Sequence, residues 1–120
     1  DETFLAATHT SAGNTIDAVN SVLTCDPNYL VMGMSAVTFY GGKNGAQAFK
    51  DKIEAVAGIG ISCGSLSCTA ALKAYGGIKR ISFFSPYYPV ANERVGQYFK
   101  DEGFEIGERH AEEQSYNMSA

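Results

Sequence analysis

Charge is scarce in this 120-residue chain: 18% of its residues are Asp, Glu, Lys or Arg, and the 9 basic ones do not cluster beyond Lys79-Arg80. With 13 acidic residues the net charge is −4, so the basic stripe of a nucleic-acid binder is missing and no nucleic-acid partner is expected. Long apolar runs are missing as well. Nothing approaches the roughly 18 consecutive apolar residues of a membrane span, and the Asp-Glu-Thr-Phe start has neither the basic region nor the apolar segment of a secretory signal. Cysteine is sparse and odd in number, at positions 25, 63 and 68, which does not read as a disulfide framework and points to a reducing, cytoplasmic setting. His9, His110 and the cysteines show no CxxC or HxxxH spacing, so no zinc site is expected. Only 3 Pro and 13 Gly are present, far from a collagen or linker composition, and 45% hydrophobic residues supply a core. The length allows one domain of ordinary size.

What is there is an alternation of β-rich runs and helical periodicity. Thr3 to Thr8 reads as a weak strand. Ile16, Val19, Val22 and Leu23 follow helical spacing, with Asn14 or Thr15 as cap. Tyr29 to Met32 is a continuous apolar run, the pattern of a buried parallel strand. Gly33 to Gly45 reads as a loop, followed by a helix with Phe49, Ile53 and Val56 on its apolar face. Gly58 to Ser62 predicts a short strand, Ser67 to Tyr75 a helix ended by Gly76-Gly77, and Arg80 to Ser85 a buried strand stopped by Pro86. Val95, Tyr98 and Phe99 mark a further helix stopped by Gly103, and Phe104-Glu105-Ile106 begins a last strand. The order β-α-β-α-β-α-β-α-β predicts an α/β fold with a parallel sheet flanked by helices.

Ligands in such folds sit beyond the carboxyl ends of the strands. Three loops leave those ends: Gly33-Met34-Ser35-Ala36, Cys63-Gly64-Ser65 and Ser85-Pro86-Tyr87-Tyr88, all rich in small or hydroxyl residues and almost free of charge. Gly33 lets the backbone approach a ligand, and the following N–H groups with the Ser35 hydroxyl suit a carboxylate; an incidental turn is the plainer explanation of the same residues. Ser65 reads as an N-cap, at a helix start whose free N–H groups also favour an anion. Tyr87, stiffened by Pro86, can donate to a carboxylate or enolate oxygen; a half-buried packing tyrosine is the plainer alternative. Gly58-Ile59-Gly60 does not complete a dinucleotide fingerprint, because the third Gly falls at 64 rather than 63, and no P-loop is present. Cys63, at a strand end, reads as a small hydrophobe.

Taken together, Tyr29-Leu30-Val31-Met32-Gly33-Met34-Ser35, Gly58-Ile59-Gly60-Ile61-Ser62-Cys63-Gly64-Ser65 and Ser85-Pro86-Tyr87 with Asn92-Glu93-Arg94 resemble the arylmalonate decarboxylase and maleate cis-trans isomerase family of the aspartate/glutamate racemase superfamily. The resemblance runs from about Asn14 to Gly107, in segment order and spacing. It implies two similar Rossmann-like α/β halves with the active site between them. Residues 1–77 would then form the first half and 78–120 the start of a second, incomplete one. It also implies no metal or organic cofactor. An enediolate or related anion of a small carboxylate substrate would be held by hydroxyl and backbone donors, with cysteine moving the proton or acting as nucleophile.

Carried over residue by residue, Gly33, Met34 (through its N–H) and Ser35 match the first carboxylate-binding loop. Tyr87 donates to the same oxygens, and Ser65 matches a serine at the next helix start. Ser35 and Tyr87 are the expected catalytic pair. Two departures stand out. Racemases and maleate isomerases carry Cys where this chain has Gly33; arylmalonate decarboxylases have Gly there, which puts a two-cysteine mechanism in doubt. The family's other catalytic cysteine belongs to a segment downstream of Ala120. The implied activity is cofactor-independent decarboxylation or cis-trans isomerisation of a small mono- or dicarboxylic acid. An Asp/Glu racemase-like isomerase and a non-catalytic carboxylate-binding domain are the alternatives, and self-association is left open.

Overall fold

A computed structural model describes residues 14–87 and 89–111. The strand expected over Thr3 to Thr8 lies outside them. Helix α1 covers residues 14–23. Val19 is buried, with Ile16 and Leu23 packed beside it, whereas Val22 faces solvent at 47% exposure. Strand β1 (Leu30–Val31) pairs in parallel with β2 (Ile61–Ser62), and helix α2 (Gly42–Ala57) makes the crossover. Helix α3 (Gly64–Tyr75) leads to β3 (Arg80–Ser85), which pairs in parallel with β4 (Glu105–Ala111) through α4 (Pro89–Asp101). The described strands thus form two parallel pairs, each spanned by a helix, the βαβ arrangement the alternating pattern predicts.

Two corrections concern the segment after β1. Gly33 to Gly45 is not loop throughout: a single 3-10 turn occupies Ala36–Phe39, and α2 already starts at Gly42. The buried face of α2 is Ala46 and Ile53 with Phe49 half-buried, while Val56 is turned out at 41% exposure. The helix start lies close against α4, where a Cβ at Gly42 would come within 2.5 Å of Asp101 Oδ2.

The C-terminal end of α4 follows from its sequence. Phe104 N–H donates to Phe99 O and Gly103 N–H to Lys100 O, both at 2.9 Å, with Gly103 at φ 93. This is a Schellman closure, whose left-handed residue favours Gly, and the Phe99–Phe104 ring contact at 6.2 Å supplies its apolar seal.

Two clusters form the core. One gathers Val19, Leu30, Ile53, Ile61 and Cys63 around the first strand pair. The other centres on Phe39, Tyr98 and Phe99, with Phe39 and Tyr98 edge to face at 5.2 Å. Leu66 of α3 packs against both. Each fully buried side chain of this size contributes about 1.5–3 kcal/mol. Tyr98, fully buried, keeps its hydroxyl satisfied by Thr69 Oγ1 at 3.1 Å, so the aromatic gain is not offset by a stranded polar group. Among the described residues no helix is long and apolar enough to cross a membrane.

Candidate functional site

The loop after β1 and the loop after β3 meet at two hydroxyl groups. Ser35 Oγ and Tyr87 OH share a 2.5 Å hydrogen bond, with both residues part-buried. Ser35 precedes the 3-10 turn in cap position, but its hydroxyl makes no cap bond and is free to face Tyr87. Among the described residues, no acceptor takes the backbone N–H of Met34 or Ser35.

Tyr87 is held from behind. Its N–H donates to Ser85 Oγ at 3.2 Å, and its carbonyl accepts from Asn92 Nδ2 at 3.3 Å. Ser85 Oγ in turn donates to Asn92 Oδ1, which closes a small ring of bonds around the Ser85-Pro86-Tyr87 exit. Ser85 and Asn92 are both about 6% exposed, so these bonds work in low dielectric. In the sequence Asn92 stands out only as part of the Asn92-Glu93-Arg94 run; its bracing role depends on α4 folding back beside the strand end.

The hydroxyl pair sits at an open cleft of about 270 Å³, at the small end of ligand sites. Gly64 and Cys68, one turn apart on α3, form one wall, and Phe39, Phe83, Val95 and Phe99 supply apolar surface. Among the described residues no charged side chain lines it. The positive end of α3 opens here, since Gly64 is its first residue. Gly64 is needed for close approach: a Cβ there would lie 2.7 Å from Ser35 Cβ.

The sequence-predicted residues divide. Ser35 and Tyr87 line the cleft together. Gly33 and Met34 are exposed beside it, Met34 at 59%, and do not line it. Ser65 is not the N-cap of α3; Cys63 is, and Ser65 lies one residue inside the helix. Its hydroxyl donates to Thr38 O at 2.8 Å and its N–H to Thr38 Oγ1 at 3.2 Å, and it is fully buried. Neither group reaches the cleft. Cys68, which carries no sequence signal of a site, does line the cleft, whereas Cys63 is buried and its thiol is pushed above its ordinary value by burial, opposed by nearby Lys50. Among the described residues no group of His, Cys, Asp and Glu is arranged to hold a metal ion.

No protein-family model matches the chain, and no curated protein matches it by sequence. Solved structures do resemble it. Arylmalonate decarboxylase superposes with a TM-score of 0.76 at 16% identity, over 83% of this chain and 46% of that one. The maleate isomerase Iso from Pseudomonas putida S16 gives 0.70 at 20% identity, over 82% and 42%. A variant of that isomerase with maleate gives 0.76 at 17%, over 82% and 41%. Across less than half the length of those proteins, this chain has the α/β fold of arylmalonate decarboxylase and maleate isomerase.

Proposed function

We propose that the chain supplies the anion-stabilising part of a cofactor-independent decarboxylase or cis-trans isomerase acting on a small mono- or dicarboxylic acid. The observation that carries this reading is the Ser35–Tyr87 hydroxyl pair, 2.5 Å apart at a cleft whose described lining carries no charge. Loss of CO₂ next to a carboxylate breaks a C–C bond, and its electron pair moves onto the oxygens of the remaining carboxylate as an enediolate. Two hydroxyls this close can both turn their protons to one such oxygen. The Ser35 N–H belongs to the same loop as its hydroxyl. Donors fixed in advance need no reorganisation as charge develops, and each is worth about 2.7–4 kcal/mol of barrier.

On the family resemblance, the thiol that delivers a proton to the carbon acts from outside residues 1–120. Gly33 favours the decarboxylase branch, because isomerases and racemases of the family carry a thiol at that position. Ser65 has no direct contact with substrate in this proposal. The test is thermal shift of the intact protein with malonate, maleate and aspartate, followed by CO₂-release and isomerisation assays on the same sample. Stabilisation by a dicarboxylate with turnover supports the reading. Binding without turnover favours a carboxylate-binding domain, and no binding to any of the three rejects both.

A further inference from the structure

We infer that Thr38 and Ser65, neither of which lines the cleft, are positioning residues that set the Ser35 hydroxyl against Tyr87. The functional meaning of this inference rests on the proposed anion site; its geometry does not. Ser35 O accepts twice from Thr38, from the N–H at 2.9 Å and from Oγ1 at 2.7 Å. Thr38 is in turn gripped twice by Ser65, whose N–H donates to Thr38 Oγ1 at 3.2 Å and whose Oγ donates to Thr38 O at 2.8 Å. Thr38 is 1% exposed and Ser65 0%. A single 3-10 turn has poor hydrogen-bond geometry and little stability of its own. Here the turn carrying Ser35 is tied to the first turn of a twelve-residue helix, and the adjacent Gly64 brings that helix against Ser35 itself.

The Thr38 hydroxyl is therefore both donor and acceptor: it hands the position of α3 on to the Ser35 carbonyl. A threonine that merely satisfied buried polar groups would affect stability without affecting the distance between Ser35 and Tyr87. The two roles separate in a measurement made at Tyr87.

The experiment uses the intact protein labelled with ¹³Cζ-tyrosine, the Tyr87 resonance being assigned with Tyr87→Phe and its position without a serine partner defined by Ser35→Ala. Thr38→Val and Ser65→Ala are expected to move the Tyr87 resonance toward the Ser35→Ala position and to weaken malonate binding at least tenfold. Thr38→Ser keeps the hydroxyl and is expected to hold both at wild-type values. Ile53→Val, buried in the other cluster, lowers the melting temperature and leaves the resonance in place. If Thr38→Val does not fold, Ser65→Ala against Thr38→Ser decides. A wild-type Tyr87 resonance in the folded Thr38→Val or Ser65→Ala variant overturns the inference. If malonate fails to bind even the wild-type protein, the proposed function is at fault, and the resonance alone still decides the positioning role.

Discussion

Ser35 and Tyr87 lie 52 residues apart in the chain and bring their hydroxyl oxygens to 2.5 Å. One follows the first strand pair's β1, the other follows β3 of the second pair, so the contact joins the two parts of the fold at the strand ends. Each residue is braced by its own set of part-buried bonds, Ser35 through Thr38 and Tyr87 through Ser85 and Asn92. The pair is preorganised from both sides.

Gly64→Ala is expected to damage the site more than the fold. The added methyl would sit 2.7 Å from Ser35 Cβ, which belongs to a short side chain with no freedom to swing aside. Overpacking of this kind costs about 1–3 kcal/mol. Denaturant unfolding should show that loss, and malonate affinity should fall further than the loss of folded protein accounts for.

Gly33→Cys should fold like the wild type. A Cβ at Gly33 meets nothing within 4 Å, and no positive φ is found there. A substitution in such open space changes stability by less than about 0.5 kcal/mol. If the proposed chemistry holds, the variant gains deuterium exchange at the carbon next to a bound carboxylate, read by mass spectrometry, and the wild type lacks it.

Alkylation maps the cleft. Cys25 and Cys68 are exposed and Cys63 is buried. Iodoacetamide should therefore modify Cys25 and Cys68 quickly and Cys63 only on unfolding. Because only Cys68 lines the cleft, malonate should slow labelling of Cys68 and leave Cys25 unchanged.

Alkaline pH should weaken the fold. Burial holds the Cys63 thiol above its ordinary 9.0, and it holds the Tyr98 phenol above its ordinary 10.0 against the opposing bond from Thr69. The unfolded chain then releases these protons first. The stabilisation is complete below the unfolded values and is lost as pH rises through the raised folded ones. Melting temperature should be level up to about pH 8.5 and fall above it. Cys63→Ala should shallow the first part of that fall, and Tyr98→Phe the part beyond about pH 10.

Much of this was readable in the sequence where one local rule dominated. The run Arg-Ile-Ser-Phe-Phe-Ser before Pro86 marks β3 at its observed bounds, but not its expected burial, since only Ser85 of the strand is buried and Phe84 is 65% exposed; Gly103 marks the end of α4 because a left-handed closure favours Gly. Local rules failed where tertiary contact decides. Gly42 and Gly45 disguise the start of α2 as loop, yet a side chain at Gly45 would meet Tyr40 O at 2.4 Å. Ser65 looked like a cap in sequence, but the helix begins one residue before it and turns its hydroxyl inward to Thr38. Of the expected site, the Ser35 and Tyr87 loops were legible from strand ends and small polar residues. The bracing by Thr38 and Asn92, and the place of Cys68 on the wall, depend on how α3 and α4 pack.

The most direct measurement is a double-mutant cycle on kcat/KM in the intact protein, with Ser35→Ala, Tyr87→Phe and the double variant, each confirmed folded by its melting curve. The substrate is the acid found to turn over. Each single variant is expected to lose about 10²–10³-fold. The double variant should lose clearly less than the product of the two, because the hydroxyls act as one unit on the same oxygens. Near-wild-type turnover in both single variants would contradict an anion site built on Ser35 and Tyr87.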